Sequence, residues 1–96
     1  MTNDNDSLWD DNDDRKSSFL IDVDNEFVDA SQKYDKLHSF HEAAAVIKEE
    51  YDEFWDEVKK KLPLEGKLYK ELKQIAAMCL RTIMDLKLES DPDLGK

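Results

Sequence analysis

Apolar side chains recur along the chain in three stripes at helical spacing. Phe19, Val23, Phe27, Ala30 and Tyr34 follow one another at steps of three or four, the period that lines one face of an α-helix, and predict a first helix from about Ser18 to Tyr34. Phe40, Ala44, Ile47, Tyr51, Phe54 and Val58 make a second stripe. Its start is marked by Ser39 and Glu42, at the spacing of a capping box in which hydroxyl and carboxylate satisfy the amides left over at a helix start. Its end is marked by Lys59, Lys60 and Lys61, whose charges suit the negative end of a helix dipole. Pro63 and Gly66 break the pattern. Leu68, Leu72, Ile75, Cys79, Thr82, Ile83 and Leu86 then form a third stripe, from about Glu65 to Leu88. Without strand-like alternation or internal repeat, the pattern predicts an all-α fold, an antiparallel helical hairpin preceded by a leading helix.

The flanks read differently. Residues 1–17 hold Asp4, Asp6, Asp10, Asp11, Asp13 and Asp14, with Leu8 and Trp9 as the sizeable apolar side chains, too little to offset the entropy of ordering, and predict a disordered acidic tail. Trp9 is there either a partner anchor or a tolerated aromatic. The helical domain is expected over 18–88, and Asp91, Pro92 and Gly95 belong to a short tail at 89–96. With 96 residues the chain is one small domain that buries roughly 60 to 65% of its unfolded surface, so its own core is thin and association of copies is expected.

Charge and composition narrow the partners. A formal net charge of -10 works against nucleic acid and against an anionic membrane, because such contacts need Lys and Arg to displace counterions. A lone cysteine, Cys79, cannot form an internal disulfide, and its place in the third stripe predicts packing as a small apolar group. Neither an apolar signal segment nor a membrane-length apolar run occurs, which leads us to expect a cytoplasmic protein. His38 and His41 stand as HxxH, but no ExxH pair of the kind used by di-iron bundles is present, so they read as loop and first-turn residues around the capping box.

The candidate chemistry lies in acids on two helices. Glu49, Glu50 and Glu53 form EExxE on the second helix, and Glu71 and Gln74 follow on the third. At about 100° per residue from the middle of the second stripe, Glu50 lies near about 280°, Glu53 about 220° and Glu49 about 180°. On the third helix Glu71 falls at about 300° and Gln74 at about 240°. These groups share a flank, and antiparallel packing would let the flanks meet, as in carboxylate metal sites of helical bundles. Mg²⁺ takes oxygen ligands and keeps several waters, so two Glu pairs at i, i+3 would suffice. Like-charge neighbours such as Glu49 with Glu53 cost on the order of 0.2 to 0.5 kcal/mol each in an isolated helix, which a cation would relieve. Asp52, Asp56 and Glu57 read instead as a solvated face.

The runs SFHEAAAVIKEEYDEFWDEVKKK and LYKELKQIAAMCLRTIMDL, between Ser39 and Leu86, resemble the MazG-like all-α nucleotide pyrophosphohydrolases of the small stand-alone type. That family's pattern is EExxE, a spacer, then ExxD. Glu49, Glu50 and Glu53 match its first part and Glu71 its second, while Gln74 stands where the family has aspartate. The resemblance covers about half the chain. It implies cleavage of a nucleoside triphosphate to monophosphate and pyrophosphate, chemistry that rests on positioning and metal-ion charge neutralisation. It further implies that Glu50, Glu53 and Glu71 hold Mg²⁺, with Mn²⁺ as a substitute, and that Glu49 is a further ligand or the base that orients water. Gln74 could offer Mg²⁺ its neutral amide oxygen. That leaves three outcomes: weaker metal binding with activity kept, a one-metal site, or the fold without catalysis. Lys67, Lys70 and Arg81, on the flank of Gln74, are the candidate phosphate ligands. Aromatics of the first helix and Trp55 are candidates for base stacking, with Trp55 also read as packing. The family's homodimer, with its four-helix core and occasional pairing into a tetramer, is expected as well. The competing reading is a non-catalytic MazG-like helical oligomer acting as an interaction or structural protein.

Overall fold

The computed structural model describes residues 14–90; the expected acidic tail up to residue 13 and the segment from residue 91 lie outside the described residues. Those residues form three helices and no strand: α1 (Arg15–Lys33), α2 (Phe40–Val58) and α3 (Glu65–Asp85). α1 begins three residues before the expected Ser18, so Arg15, Lys16 and Ser17 are helical rather than part of the tail. α2 starts where the capping pair places it. Ser39 Oγ accepts the Glu42 N–H at 3.0 Å, while the Glu42 carboxylate takes the amide of His38 at 2.6 Å, one residue upstream of the amide a capping box would use. α3 ends at Asp85, short of Leu88, because Lys87 turns into the left-handed region at φ 55° and Leu88 N–H closes back on the Ile83 carbonyl at 3.0 Å.

α3 is the middle of the structure. α1 and α2 each pack on it and not on each other. Between α2, α3 and the loop before α2, a small cluster of Leu37, Ala43 and Met78 is backed by Val46, Ile47 and Leu86. The loop is tied down by two hydrogen bonds from α3: Asp85 Oδ2 accepts Leu37 N–H at 2.9 Å, and Arg81 Nη2 donates to the Asp35 carbonyl at 2.8 Å. On the other side α1 buries Val23. The Phe19 ring meets Tyr69 edge-on with centroids 5.7 Å apart, Tyr69 Oη donates to Asp22, and Glu26 lies 3.7 Å from Lys73. The buried hydrophobic residues among those described are Val23, Leu37, Ala43, Ala77 and Met78. That is the thin core expected of a short chain.

Three side-chain expectations are corrected. The face of α2 turned inward carries Ala43, Val46, Ile47, Glu50, Phe54 and Glu57, while Phe40, Ala44, Tyr51 and Val58 of the expected stripe are exposed. The inward arc keeps Ile47 and Phe54 of the expected stripe but is turned toward Ala43 and Val46, away from Phe40, Tyr51 and Val58. Cys79 is exposed rather than packed: with Leu72 and Ile83, also exposed, it lies off the arc of α3 that α1 and α2 cover. Glu57, read as solvated, is 1% exposed, because both its oxygens are occupied at the turn between α2 and α3. Among the described residues no helix is long and apolar enough to cross a membrane.

Candidate functional site

Glu50 and Glu53 lie one turn apart on α2, and the hairpin brings Glu71 of α3 against them. One carboxylate oxygen from each of the three falls within 4.8 Å of the others. Burial is graded across the cluster: Glu71 is buried, Glu50 half-buried and Glu53 exposed. Loss of water makes their charge hard to hold. Burial first, then the charges of Glu53 and Glu71, pushes Glu50 up to about 7 from an ordinary 4.5, and a hydrogen bond with Glu53 adds to it. Glu71 is pushed up by burial and by Glu53, opposed by the charges of Lys67 and Lys70. A hard divalent cation fits this donor set, which offers only carboxylate oxygens.

Gln74, one turn beyond Glu71, faces two members of the group. Both acids facing its amide are acceptors, so the orientation its neighbours dictate puts the nitrogen toward them, donating to Glu50 Oε2 and to Glu71 Oε1, each at 3.0 Å. The residue thereby holds one carboxylate of each helix. Glu49 is exposed and outside the triad, on the wall of a neighbouring cavity that it shares with Glu50.

Space opens on both sides of the acids. On one, Lys60, Lys67 and Lys70 line a cleft of about 240 Å³ together with Glu53 and Glu71, which places the expected Lys67 and Lys70 beside the triad. On the other, a cavity of about 500 Å³ is walled by Glu26, Tyr34, His38, Glu50, Gln74 and Arg81 among others. Arg81 is therefore away from the lysine cleft. It is 4% exposed and committed to the Asp35 carbonyl and, at 3.6 Å, to Asp85. Trp55 is 49% exposed and lines neither space, whereas Tyr34 of the first stripe, 64% exposed, edges the cavity.

Glu57, Asp85 and Glu26 are site-shaping acids that the pattern did not single out. The first had a signal: Glu50 and Glu57 stand two turns apart, hence on one face of α2. Asp85 stands four residues from Arg81, the spacing of a helical ion pair. Comparison with protein-family models, with curated proteins and with solved structures finds no match.

Proposed function

We propose that this chain is a Mg²⁺-dependent nucleotide pyrophosphohydrolase, with Mn²⁺ able to substitute, that cleaves a nucleoside triphosphate to a monophosphate and pyrophosphate. The observation that carries the reading is the acid triad spanning α2 and α3 with a lysine-lined cleft on one side and a nucleoside-sized cavity on the other. The resemblance of Ser39–Leu86 to MazG-like enzymes supports it. Glu50, Glu53 and Glu71 would hold the cation, which when bound neutralises phosphate oxygens and makes a water more acidic. Lys67 and Lys70 bind the outer phosphates in the cleft, and Gln74 keeps Glu50 and Glu71 facing each other. Glu49, outside the triad, accepts the proton of the attacking water. The oxygen of that water bonds to phosphorus as one bond of the α–β bridge breaks, and pyrophosphate leaves on the lysine side.

A homodimer belongs to the same proposal, because Phe40, Tyr51, Trp55 and Val58 form an exposed apolar strip along α2. That strip is also what favours a second reading, a non-catalytic helical oligomer. Pyrophosphate release from a panel of canonical, deoxy and modified triphosphates with Mg²⁺ or Mn²⁺ separates the two. Release that is lost in Glu50→Gln and Glu53→Gln is expected; no release from any substrate by folded protein rejects the enzyme.

A further inference from the structure

We infer that Lys60, in the turn after α2, is a third phosphate ligand of the cleft beside the triad and reads the terminal phosphate of the substrate, so that a triphosphate chain is held in preference to a diphosphate. The inference rests on the nucleotide reading proposed above and adds to it the residue and the phosphate that it selects.

Lys59, Lys60 and Lys61 follow one another after α2, and of the three it is Lys60 that lines the cleft, together with Lys67 and Lys70 of α3. Its place is set by Glu57, whose buried carboxylate accepts from Lys60 Nζ at 2.8 Å. An ammonium group has three donors, so one on Glu57 leaves two for a ligand. The Lys60 side chain is 56% exposed, which puts those donors within reach of a phosphate entering from solvent. Anchoring on a buried partner also reduces the rotamer freedom that a flexible lysine would lose on binding.

Four acids share the cleft with these lysines, and each has a partner or an assigned role. Glu57 uses both oxygens, on Lys60 and on the Leu64 amide. Asp56 pairs with Lys59 at 3.1 Å, and Glu53 and Glu71 belong to the triad that would hold the cation. A polyphosphate beside a loaded triad therefore meets the three ammonium groups as its main partners. Their order along the cleft follows from the helices. Lys67 and Lys70 lie within about one turn of Glu71, whereas Lys60 is seven positions beyond Glu53, about two turns or 10 Å further along the same face. Lys60 thus stands at the end of the cleft away from the triad. With the α–β bridge held at the triad, the phosphate furthest from that bridge falls to Lys60.

The test uses the full chain with Mg²⁺ in excess and two probes, inorganic pyrophosphate and tripolyphosphate, in calorimetric titrations. The parent is expected to hold tripolyphosphate more tightly. Lys60→Gln is expected to weaken tripolyphosphate about five- to tenfold and pyrophosphate less than about twofold, the effect of one charge-assisted hydrogen bond, while Lys60→Arg keeps most of the difference. Lys61→Gln, a change outside the cleft lining, should alter neither. Should Lys60→Gln fail to fold, the parent gives a second readout: saturating tripolyphosphate should shield Lys60 from acylation while Lys61 is still modified, as measured site by site by mass spectrometry. A parent without preference for tripolyphosphate, equal loss of the two probes in Lys60→Gln, no loss of either, or Lys60 acylated as fast with tripolyphosphate as without it overturns the proposal. Pyrophosphate release from nucleoside triphosphates judges the enzyme separately. A chain that releases pyrophosphate while Lys60 is indifferent fails here alone, and one that binds tripolyphosphate through Lys60 but releases none fails there alone.

Discussion

The backbone N–H of Leu64 donates to Glu57 Oε2 over 2.8 Å, so the helix starting at Glu65 takes its capping acceptor from the last turn of the helix before it. No side chain of its own caps that end. The second oxygen of Glu57 accepts from Lys60 Nζ at 2.8 Å. That hydrogen bond first, and the Leu64 amide next, hold the carboxyl below the ordinary carboxylate range. The turn so closed is the one that sets Glu50 and Glu53 against Glu71.

Replacing Glu57 with alanine would remove the buried acceptor that the Leu64 amide and Lys60 share at the α2–α3 turn. We expect a thermal midpoint lower by on the order of 5 to 10 °C and a weaker Mg²⁺ affinity, although Glu57 is not in the triad. Melting curves and calorimetric titration of the variant check both; parent-like values in the two would refute the clasp.

Gln74→Asp exchanges the amide that donates to Glu50 and Glu71 for a fourth negative charge. Metal-free protein should lose stability, and Mg²⁺ should bind about tenfold more tightly, as about 1.4 kcal/mol of added attraction would give. Turnover should change with it. Metal affinity and turnover that both stay at parent values would show that Gln74 does not limit the site.

The pH dependence of the metal-free protein follows from Glu50. Its carboxyl is raised to about 7 in the folded chain from 4.5, so the folded state keeps a proton that the unfolded state releases. Its stabilising contribution is full below the unfolded value and lost as pH rises through about 7. Glu71, also raised, acts in the same sense. Glu57, lowered, acts in the opposite sense: it stabilises above the unfolded carboxylate range and loses that effect as pH falls through its folded value. Between about pH 5 and 8 the thermal midpoint in chelator should therefore fall as pH rises, and Glu50→Gln should flatten the slope. Equal slopes in the two proteins would contradict the assignment.

How far these features could be read from residue order differs by element. The three helices, the Ser39 cap and the flank shared by Glu50, Glu53 and Glu71 all follow from spacing, because a helix converts sequence separation into angle. Which face of α2 turns inward did not follow. Periodicity locates the bulk of Phe40, Tyr51 and Val58, but the arc of α2 that packs on α3 is turned toward Ala43 and Val46 and draws Glu50 and Glu57 inside with them. Likewise Arg81 sits on the flank expected for a phosphate ligand, yet its partner is the carbonyl of Asp35, 46 positions away, a loop contact that no helical period encodes.

Lys87 offers a test of backbone strain. With φ 55° it stands at the left-handed position that closes α3, where a Cβ is unfavourable. Lys87→Gly should raise stability by about 0.5 to 1 kcal/mol, measured by urea unfolding. A loss of stability would mean that the side chain contributes more than its backbone costs.

Association should show in Trp55, half-exposed within the apolar strip of Phe40, Tyr51 and Val58. Sedimentation at micromolar concentration is expected to give a dimer, and Trp55→Asp a helical monomer. A folded parent that sediments only as monomer excludes the proposed dimer.

Among the described helices α1 packs on α3 alone and lacks the clasp at Glu57 that ties α2 to the start of α3, which makes it the piece this molecule can relinquish first. Detaching it severs the Phe19, Asp22 and Glu26 contacts and strips one side from the cavity, yet leaves the α2–α3 hairpin and its three carboxylates intact. Amide protons of α1 would then exchange well ahead of those of the hairpin, because the contacts that hold the three acids in register do not pass through α1.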